Sequence, residues 1–414
     1  MNLREKSWLK RNPLTEDLTY LERVAAILSE VRARGDAALR EYTARFDGVT
    51  LEDFRIPPSA IQAAYASVSS EVIAALKTAA ARVEKFHQKQ PLTSWITHEL
   101  GGALGQIVNP LDRVGIYVPG GTAPLPSSLL HAAIPARVAG VRQVIVATPP
   151  NPSPVILVAA DIAGVSAVYQ AGGAQAIAAL AYGTESIPKV DKIVGPGNIY
   201  VVLAKKLVFG VVGIESLPGP TETVVVADET ANPKWVAADL LAQAEHDVLA
   251  SAVLLTPSAA LAQAVQAEVA QRIESLSRAS IITQTFERGS GIVLTQDVAE
   301  AVALADDYAP EHLCLSVRDP WTWVAKIHHA GGIFVGEHSF EVLGDYVAGP
   351  SHIMPTAGSA RFSSPLNVWD FVRLTSLVAL DAATTAQIAP TAALIARAEG
   401  LDGHAGAAEE RVKS

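Results

Sequence analysis

A carboxylate and an imidazole stand side by side in the segment Tyr308-Ala-Pro-Glu-His-Leu313, and such a pair has the residue types of an acid–base catalyst. Adjacent residues of an extended segment point to opposite faces, so Glu311 and His312 would act on different atoms. Pro310 fixes the backbone φ angle of the turn before them. A Glu-His dipeptide also occurs in ordinary surface turns, so the pair becomes informative only together with other candidate residues.

Several residues elsewhere in the chain have side chains that can bind a metal ion. Gln243 and His246 lie three residues apart in a predicted helix, so both face the same way. Asp345 and His352 fall in one glycine-rich loop, which packing alone would not require, and His404 lies between glycine and alanine. Histidine and aspartate suit Zn²⁺, whereas glutamine is an unusual zinc ligand. Spacing alone therefore leaves a metal site and unrelated polar residues as open alternatives.

Two glycine-containing turns have the position of anion-binding loops. Gly195-Pro-Gly-Asn198 lies between a predicted strand and a predicted helix, where free backbone N–H groups can bind an anion. Pro119-Gly-Gly121 precedes an apolar helix and has a similar arrangement. The dinucleotide pattern G-x-G-x-x-G is absent, because Tyr200 occupies the position of the third glycine. A plain strand-to-helix turn is the more common explanation for each.

The single cysteine, Cys314, follows the Glu-His-Leu segment directly. It could be the nucleophile of an aldehyde-oxidising enzyme, which would form a thiohemiacetal. Its apolar strand and the lack of a nearby cation favour a buried packing residue instead. One cysteine also excludes an internal disulfide framework and suits a reducing compartment.

Composition narrows the class of protein. Of the 414 residues 50% are apolar and 18% charged, which predicts a large core and two or three domains. The net charge of −10 argues against a nucleic-acid surface. No apolar signal segment begins the chain, and the longest uncharged run, residues 162–184, contains glycine and glutamine residues that a membrane core would penalise. We expect a soluble cytoplasmic protein without nucleic-acid or membrane partners.

Short strands and helices alternate along the middle of the chain, which predicts parallel βαβ units and an α/β fold class. The pattern occurs twice, so we expect two doubly wound, Rossmann-like halves with helical N- and C-terminal extensions and a cleft between the halves. The predicted boundaries are an N-terminal arm (1–18), a first α/β domain with the Glu-His pair (19–105 plus 222–366), a second α/β domain (106–221) and a helical C-terminal segment (367–414). That last segment is too small to hold a core alone.

The ordered set of motifs resembles the histidinol dehydrogenase family over nearly the whole chain. The matching segments are Arg113-Val-Gly-Ile-Tyr-Val-Pro-Gly-Gly121, Ala171-Gly-Gly-Ala-Gln175, Gly195-Pro-Gly-Asn198, Leu240-Leu-Ala-Gln-Ala-Glu-His-Asp247, Ala309-Pro-Glu-His-Leu313, Gly344-Asp-Tyr346, His352-Ile-Met-Pro-Thr356 and Glu399-Gly-Leu-Asp-Gly-His404. Each segment alone is weak, and the ordered set is specific.

The resemblance implies a fold, a reaction and a set of ligands. The family oxidises L-histidinol through the aldehyde to L-histidine and reduces two NAD⁺ for each product. The resemblance also implies an intertwined homodimer with one Zn²⁺ in each subunit. The metal ligands by this resemblance are Gln243, His246, Asp345 and a His404 that reaches across from the partner subunit.

The same resemblance assigns the remaining contacts. It implies that Tyr117, Gln175 and Asn198 bind NAD. It implies that the four zinc ligands also contact the substrate, together with Thr221, His312, His352 and Glu399. The family commonly has serine where this chain has Thr221, and the hydroxyl is kept.

The expected mechanism uses His312 as the base in both hydride-transfer steps and Glu311 to activate the water that hydrates the aldehyde. Two alternatives stay open from the sequence. One is a zinc-dependent NAD dehydrogenase of another small alcohol, such as a sulfonated diol, and Glu399 and His352 argue against it because they suit a cationic imidazole. The other is a non-catalytic zinc- or ligand-binding homologue, which the retention of Glu311 and His312 disfavours.

Overall fold

A computed structural model describes residues 1–11, 18–120 and 124–412 of the chain. Residues 12–17 of the predicted arm and Gly121 of the predicted glycine turn lie outside the described residues. The helices are α1 (Leu18–Arg34), α2 (Asp36–Asp47), α3 (Pro58–Ala64), α4 (Ser70–His87), α5 (Pro126–Val138), α6 (Pro154–Ile162), α7 (Gly173–Tyr182), α8 (Ile199–Val208), α9 (Pro233–Ala244), α10 (Ala259–Ile273), α11 (Ala279–Arg288), α12 (Val298–Tyr308), α13 (Trp321–Val324), α14 (Glu341–Tyr346), α15 (Ala382–Ala398) and α16 (Asp402–Glu410). The strands are β1 (Leu3–Arg4), β2 (Trp95–Thr97), β3 (Ala103–Pro110), β4 (Arg113–Tyr117), β5 (Gln143–Thr148), β6 (Ala167–Gln170), β7 (Lys192–Val194), β8 (Gly213–Ile214), β9 (Glu222–Ala227), β10 (Ser251–Thr256), β11 (Gly291–Leu294), β12 (His312–Ser316), β13 (Gly332–Val335) and β14 (Val372–Ala379).

Two parallel sheets form the α/β part of the protein, and the prediction of parallel βαβ units is confirmed. The six-stranded sheet has the order β1-β11-β10-β9-β12-β13, and the five-stranded sheet has the order β6-β5-β4-β7-β8. Every residue of β9, β10 and β12 is buried, because helices cover both faces of a parallel sheet.

The strands of the two parallel sheets are arranged in the same order. Numbered along the chain within each half, the consecutive strands are arranged 3-2-1-4-5, and β1 adds one edge strand to the larger sheet. The order reverses between β4 and β7 in one sheet and between β9 and β12 in the other. Ligands of open α/β sheets bind outside the carboxyl ends of the strands at such a reversal, so a site is expected at the carboxyl ends of β4 and β7 and of β9 and β12.

The N-terminal helices pack on the five-stranded half. Val24, Ile27, Leu28 and Val31 of α1 are buried in one core with residues of α7 and α8, which flank that sheet. The domain boundaries expected from the sequence group residues 19–105 with 222–366, so the observed packing differs from that grouping. Helical periodicity identifies the apolar face of α1, but it carries no information about which apolar surface that face will cover.

The chain divides into two compact units, residues 1–90 with 112–371 and residues 91–111 with 372–414. In the second unit β14 pairs along its whole length with β3, and β2 completes a three-stranded antiparallel sheet. The C-terminal segment 367–414, expected to be helical, therefore contains the strand β14 before its α-helices. Its α15 and α16 share a small core of Ala393, Ala396 and Ala405. No helix in the described ranges has the length and apolar character needed to cross a membrane.

A fully buried ion pair supports the glycine turn after β7. Lys205 Nζ lies 2.6 Å from Glu215 Oε1 and 3.1 Å from the Gly195 carbonyl, and the Gly195 N–H donates to the same carboxylate at 2.8 Å. The Lys205 side chain is 0% exposed. Gly195 has a φ of +124°, and a Cβ there would lie 2.1 Å from the Tyr117 carbonyl oxygen, so only glycine fits. The buried ion pair and the close contact between Gly195 and the Tyr117 backbone therefore hold the turn in place.

We expect Lys205→Met to lower the free energy of unfolding by about 3–5 kcal/mol, because Glu215 would stay buried without its counter-charge. Urea unfolding followed by circular dichroism measures the change. Lys77→Met, on the exposed face of α4, is the matched control. A loss no larger than that of the control would mean that the ion pair does not support the turn.

Candidate active site

One cavity of about 200 Å³ brings together strand ends from both parallel sheets. Ser128 on α5 and Pro196 after β7 lie beyond the carboxyl ends of the five-stranded sheet. Thr221, Glu311 and His312 lie at the amino ends of β9 and β12. The points where the strand order reverses in the two sheets therefore contribute to one site, and the six-stranded sheet departs from the usual rule by contributing its amino ends.

The turn that carries the Glu-His pair is fixed by its backbone. Helix α12 ends at Ala309, which has a left-handed φ of 52° although it is not glycine. The Pro310 and Glu311 carbonyls accept hydrogen bonds from the N–H groups of Gly331 and Gly332 at 2.9 and 2.8 Å. Uncommon backbone conformations of this kind persist where the surrounding structure over-determines them.

Glu311 is buried and held by two donors. Its Oε2 accepts hydrogen bonds from Thr221 Oγ1 at 2.6 Å and from the Glu222 N–H at 3.1 Å. Burial raises the pKa of Glu311, while the charge of His312 and these hydrogen bonds act in the opposite direction. A carboxylate with a raised pKa is a stronger base than one in water, which suits proton abstraction.

His312 is oriented by the backbone of the neighbouring strand. Its Nδ1–H donates to the Glu222 carbonyl at 3.2 Å, which leaves Nε2 directed toward Asp345 Oδ1 at 3.6 Å. Nε2 has no hydrogen-bond partner within the part of the chain that the structure describes. A carbonyl can only accept, so this contact fixes Nδ1 as the protonated nitrogen and Nε2 as the position for proton transfer.

Glu341 is a site residue that the sequence analysis did not single out. It is buried, its Oε1 lies 4.0 Å from His312 Nδ1, and its Oε2 accepts a hydrogen bond from Thr223. Burial raises the pKa of Glu341 to about 7, against the lowering effect of the His312 charge. Glu341 and Asp345 lie four residues apart on α14, and this spacing on one helical face is the signal that could have identified it.

Three carboxylates therefore surround one imidazole. Although burial lowers the pKa of His312, the charges of Glu341, Glu311 and Asp345 outweigh it and raise the pKa to about 10. A protonated His312 therefore lies between these carboxylates near neutral pH in the absence of another cation.

Gln243, His246 and Asp345 supply three potential metal donors. Gln243 is fully buried in the last turn of α9, and its Nε2 donates to Thr221 Oγ1 at 3.0 Å, which leaves Oε1 as the acceptor. His246 and Asp345 line the cavity. Burial lowers the pKa of His246, and although burial raises the pKa of Asp345, His312 lowers it overall. A neutral imidazole and an ionised carboxylate are the forms that bind a metal, so these residues fit a divalent cation.

No cluster of three or more His, Cys, Asp or Glu side chains able to hold a metal ion is found among the described residues. Gln243 would bind a metal through its amide oxygen, so it does not count toward such a cluster. Glu399 and His404 belong to the second unit, where both are exposed at the end of α15 and on α16. The metal site and the roles of these two residues stay predictions.

His352 lies against the cavity and is held on three sides. Its Nδ1–H donates to the Asp345 carbonyl at 2.6 Å, and its Nε2 accepts from Ser128 Oγ at 3.1 Å. The ring stacks on buried His131 with 4.5 Å between centroids. This packing keeps His352 and Asp345 in fixed positions beside the cavity.

The three residues expected to bind NAD lie at the carboxyl edge of the five-stranded sheet. Tyr117 ends β4, and its hydroxyl accepts a hydrogen bond from the Gly173 N–H at 3.0 Å. Gln175 is buried in the first turn of α7. Asn198 caps α8 by accepting from the N–H groups of Tyr200 and Val201. Tyr117 and Asn198 thus have local structural contacts, and their cofactor role stays a prediction.

Cys314 is a buried residue of β12, and burial raises the pKa of its thiol well above the usual value. The expectation of a packing residue is confirmed by this burial. A thiolate nucleophile is disfavoured.

A second cavity of about 460 Å³ lies on the outer side of α9, with Trp235, Asp239, Glu337 and Phe340 among its lining residues. Burial and the negative charge of Glu337 raise the pKa of Asp239 to about 7. The folded protein therefore binds a proton at Asp239 more tightly than the unfolded chain does.

Asp239→Asn should raise the melting temperature at pH 8 and change it little at pH 4. The stability contributed by protonated Asp239 is complete below about pH 4 and is lost as pH rises through its folded-state pKa of about 7. Asparagine carries no charge at any of these pH values. Calorimetry across pH 4–8 measures the difference, with exposed Asp319→Asn as control. A difference that does not grow with pH would contradict the assigned pKa.

The chain is similar to one protein family, to individual relatives in that family and to a solved structure. The family model described as "Histidinol dehydrogenase" matches residues 10–412. A histidinol dehydrogenase of Deinococcus radiodurans is 53% identical over 96% of this chain and 92% of the relative. One of Thermus thermophilus is 51% identical over 95% of each chain. A crystal structure of the Elizabethkingia anophelis histidinol dehydrogenase superposes with a TM-score of 0.95 at 36% identity, covering 100% of this chain and 98% of that one.

Proposed function

The chain belongs to the histidinol dehydrogenase family and is an oxidoreductase, and from this premise we propose that it oxidises L-histidinol through L-histidinal to L-histidine with two NAD⁺. The observation that carries the proposal is the convergence of Glu311, His312, His246 and Asp345 on one cavity, with Gln243 hydrogen-bonded to Thr221 of its lining. An acidic cavity of this kind suits a substrate that contains an amine and an imidazole.

His312 acts as the proton acceptor in both oxidation steps. Its Nδ1–H is held by the Glu222 carbonyl. The positive charge of a bound cation would lower the pKa of His312 from about 10, so that Nε2 can take the alcohol proton as hydride leaves the adjacent carbon. NAD⁺, when bound, accepts that hydride. His312 then releases this proton to solvent, and the same nitrogen accepts the proton of the second oxidation, which starts from the hydrated aldehyde and uses a second NAD⁺.

Glu311 activates the water that converts the aldehyde into its hydrate. Its carboxylate is buried, and hydrogen bonds from Thr221 and from the Glu222 N–H hold it in one orientation beside the cavity. A raised pKa increases its basicity toward a water proton. Glu311 and His312 thus act on different protons in successive steps.

Gln243, His246 and Asp345 would hold a zinc ion, together with the partner subunit's His404. The ion would help to position the substrate, and its charge would offset part of the negative charge around His312. His352, Glu399 and Thr221 complete the substrate contacts in this proposal, and Glu399 supplies a carboxylate for the substrate amine.

We also propose that the Rossmann-like half built on the five-stranded sheet binds NAD. Tyr117, Gln175 and Asn198 lie near the N-termini of α7 and α8, where helix amides favour a negatively charged ligand such as a pyrophosphate. The strand order of the five-stranded sheet supports a nucleotide at this edge.

The proposed homodimer is supported by the second unit, whose internal core is made of alanine side chains. Large apolar residues of that unit are exposed in the single chain, among them Trp95, Ile96, Leu374, Val378, Leu394 and Ile395. Exposed apolar surface of this extent marks an interface, and a second copy is the occupant that would also supply His404. Light scattering in solution tests the dimer.

One assay separates the proposal from its alternatives. The purified enzyme is supplied with NAD⁺ and either L-histidinol or a sulfonated diol, and NADH and L-histidine are quantified. Two NADH for each L-histidine, with one zinc in each subunit, is the expected result. NADH from the diol alone would favour another alcohol dehydrogenase, and bound zinc without any NADH would favour a non-catalytic homologue.

We expect His312→Ala to lower kcat by about 10²–10⁴-fold while zinc content is retained, because a positioned base contributes that much. Glu311→Gln should slow the oxidation of L-histidinal more than that of L-histidinol. Stopped-flow NADH formation from each substrate separates the steps. Wild-type kinetics for His312→Ala, or a Glu311→Gln variant blocked only at the alcohol step, would overturn these roles.

Thr221→Val should lower kcat by about 10-fold or more, since a buried hydrogen bond to a charged group contributes ~1.5–3 kcal/mol. The valine leaves Glu311 and Gln243 without their shared partner. Thr221→Ser keeps the hydroxyl and is the matched control, with activity near that of the wild type. Equal activity of the valine and serine variants would exclude a role for the hydroxyl.

A further inference from the structure

We propose that Arg11 of the N-terminal arm is a positioning residue for Glu311 and His312, an inference that rests on the proposed function. Arg11 is about 300 residues away in sequence from the pair that it positions. It touches neither the cavity nor the reacting atoms, and it acts through Glu222 and the end of α12.

The Arg11 guanidinium binds three groups at once. Both of its terminal nitrogens pair with the Glu222 carboxylate, one of them at 2.7 Å. Its Nε–H donates to the Tyr308 carbonyl at 3.0 Å, and a further contact of 3.4 Å reaches the Ala309 carbonyl. The guanidinium carbon also lies 3.9 Å from the centre of the Tyr308 ring. One side chain therefore joins the start of β9 to the turn that precedes Glu311.

Glu222 transmits this position to both catalytic candidates through its backbone. Its N–H donates to Glu311 Oε2 at 3.1 Å, and its carbonyl accepts from His312 Nδ1 at 3.2 Å. A displacement of Glu222 would alter the direction of the Glu311 carboxylate and the orientation of the His312 ring together. Misplacement of reacting groups by about 1 Å can cost 10²-fold in rate.

The contacts of Arg11 require the planar guanidinium of arginine and not only a positive charge. Glu222 is 7% exposed, so its carboxylate requires a counter-charge in the protein. A guanidinium presents a planar set of donors that can pair with a carboxylate at two points and also reach backbone carbonyls. Lysine keeps the charge, but its single ammonium cannot occupy all of these positions.

A purely structural role is the competing explanation, because the arm could simply need an anchor. Lys6 provides a matched test of that role. Its ammonium pairs with Glu300 on α12, so it anchors the same arm to the same helix without contacting Glu222 or the 308–312 turn. Loss of either anchor would affect docking of the arm, whereas only loss of Arg11 would affect the catalytic pair.

The experiment compares Arg11→Met, Arg11→Lys and Lys6→Met in the full-length enzyme, with melting temperature, kcat and KM for L-histidinol and NAD⁺ measured for each. We expect kcat to fall about 10- to 100-fold in Arg11→Met and by a smaller factor in Arg11→Lys, with both KM values within about threefold of the wild type. Lys6→Met should keep kcat within about twofold.

Each outcome bears on the inference separately from the proposed function. Wild-type kcat in a folded Arg11→Met variant, or an equal loss of kcat in Lys6→Met, would overturn the positioning role. If Arg11→Met does not fold, Glu222→Gln is measured instead, since it removes the same ion pair and keeps the side-chain shape. A loss of kcat there supports the inference, and an unchanged kcat contradicts it. A wild-type enzyme inactive on L-histidinol would instead count against the proposed function.

Discussion

The concentration of negative charge around His312 is the constraint on which the site depends. Two buried carboxylates and the partly exposed Asp345 approach one imidazole. Each is fixed locally: Glu311 by Thr221, Glu341 by Thr223, and Asp345 by its place on α14. Carboxylates this close repel one another unless positive charge lies between them. Protonated His312 supplies that charge in the free protein, and the zinc ion and amine-containing substrate of the proposed reaction would supply it when they bind.

Opposite edges of two sheets create the space for such a ligand. The five-stranded sheet presents its carboxyl edge, where helices α7 and α8 begin and favour anions. The six-stranded sheet presents its amino edge, where Thr221, Glu311 and His312 precede or begin strands. A cofactor with phosphates and a cationic substrate would thus approach the same cavity from surfaces of opposite electrostatic character.

Local sequence signals predicted much of this arrangement. The alternation of short apolar runs with helical segments identified the buried parallel strands β9, β10 and β12. The strand β14 was missed because its residues are largely exposed and show no buried face. Glu341 and the partners of α1 were missed for a different reason, since both depend on contacts between segments far apart in the chain.

The edge strand β1 has a consequence for how the protein is made. Leu3 and Arg4 pair with Ile292 and Val293, about 290 residues later in the chain. At a synthesis rate of ~5–20 residues per second, the first residues leave the ribosome roughly 15–60 s before their partner strand exists. Residues 3 and 4 must therefore wait unpaired during translation, and the pairing of β1 with β11 belongs among the last events of folding.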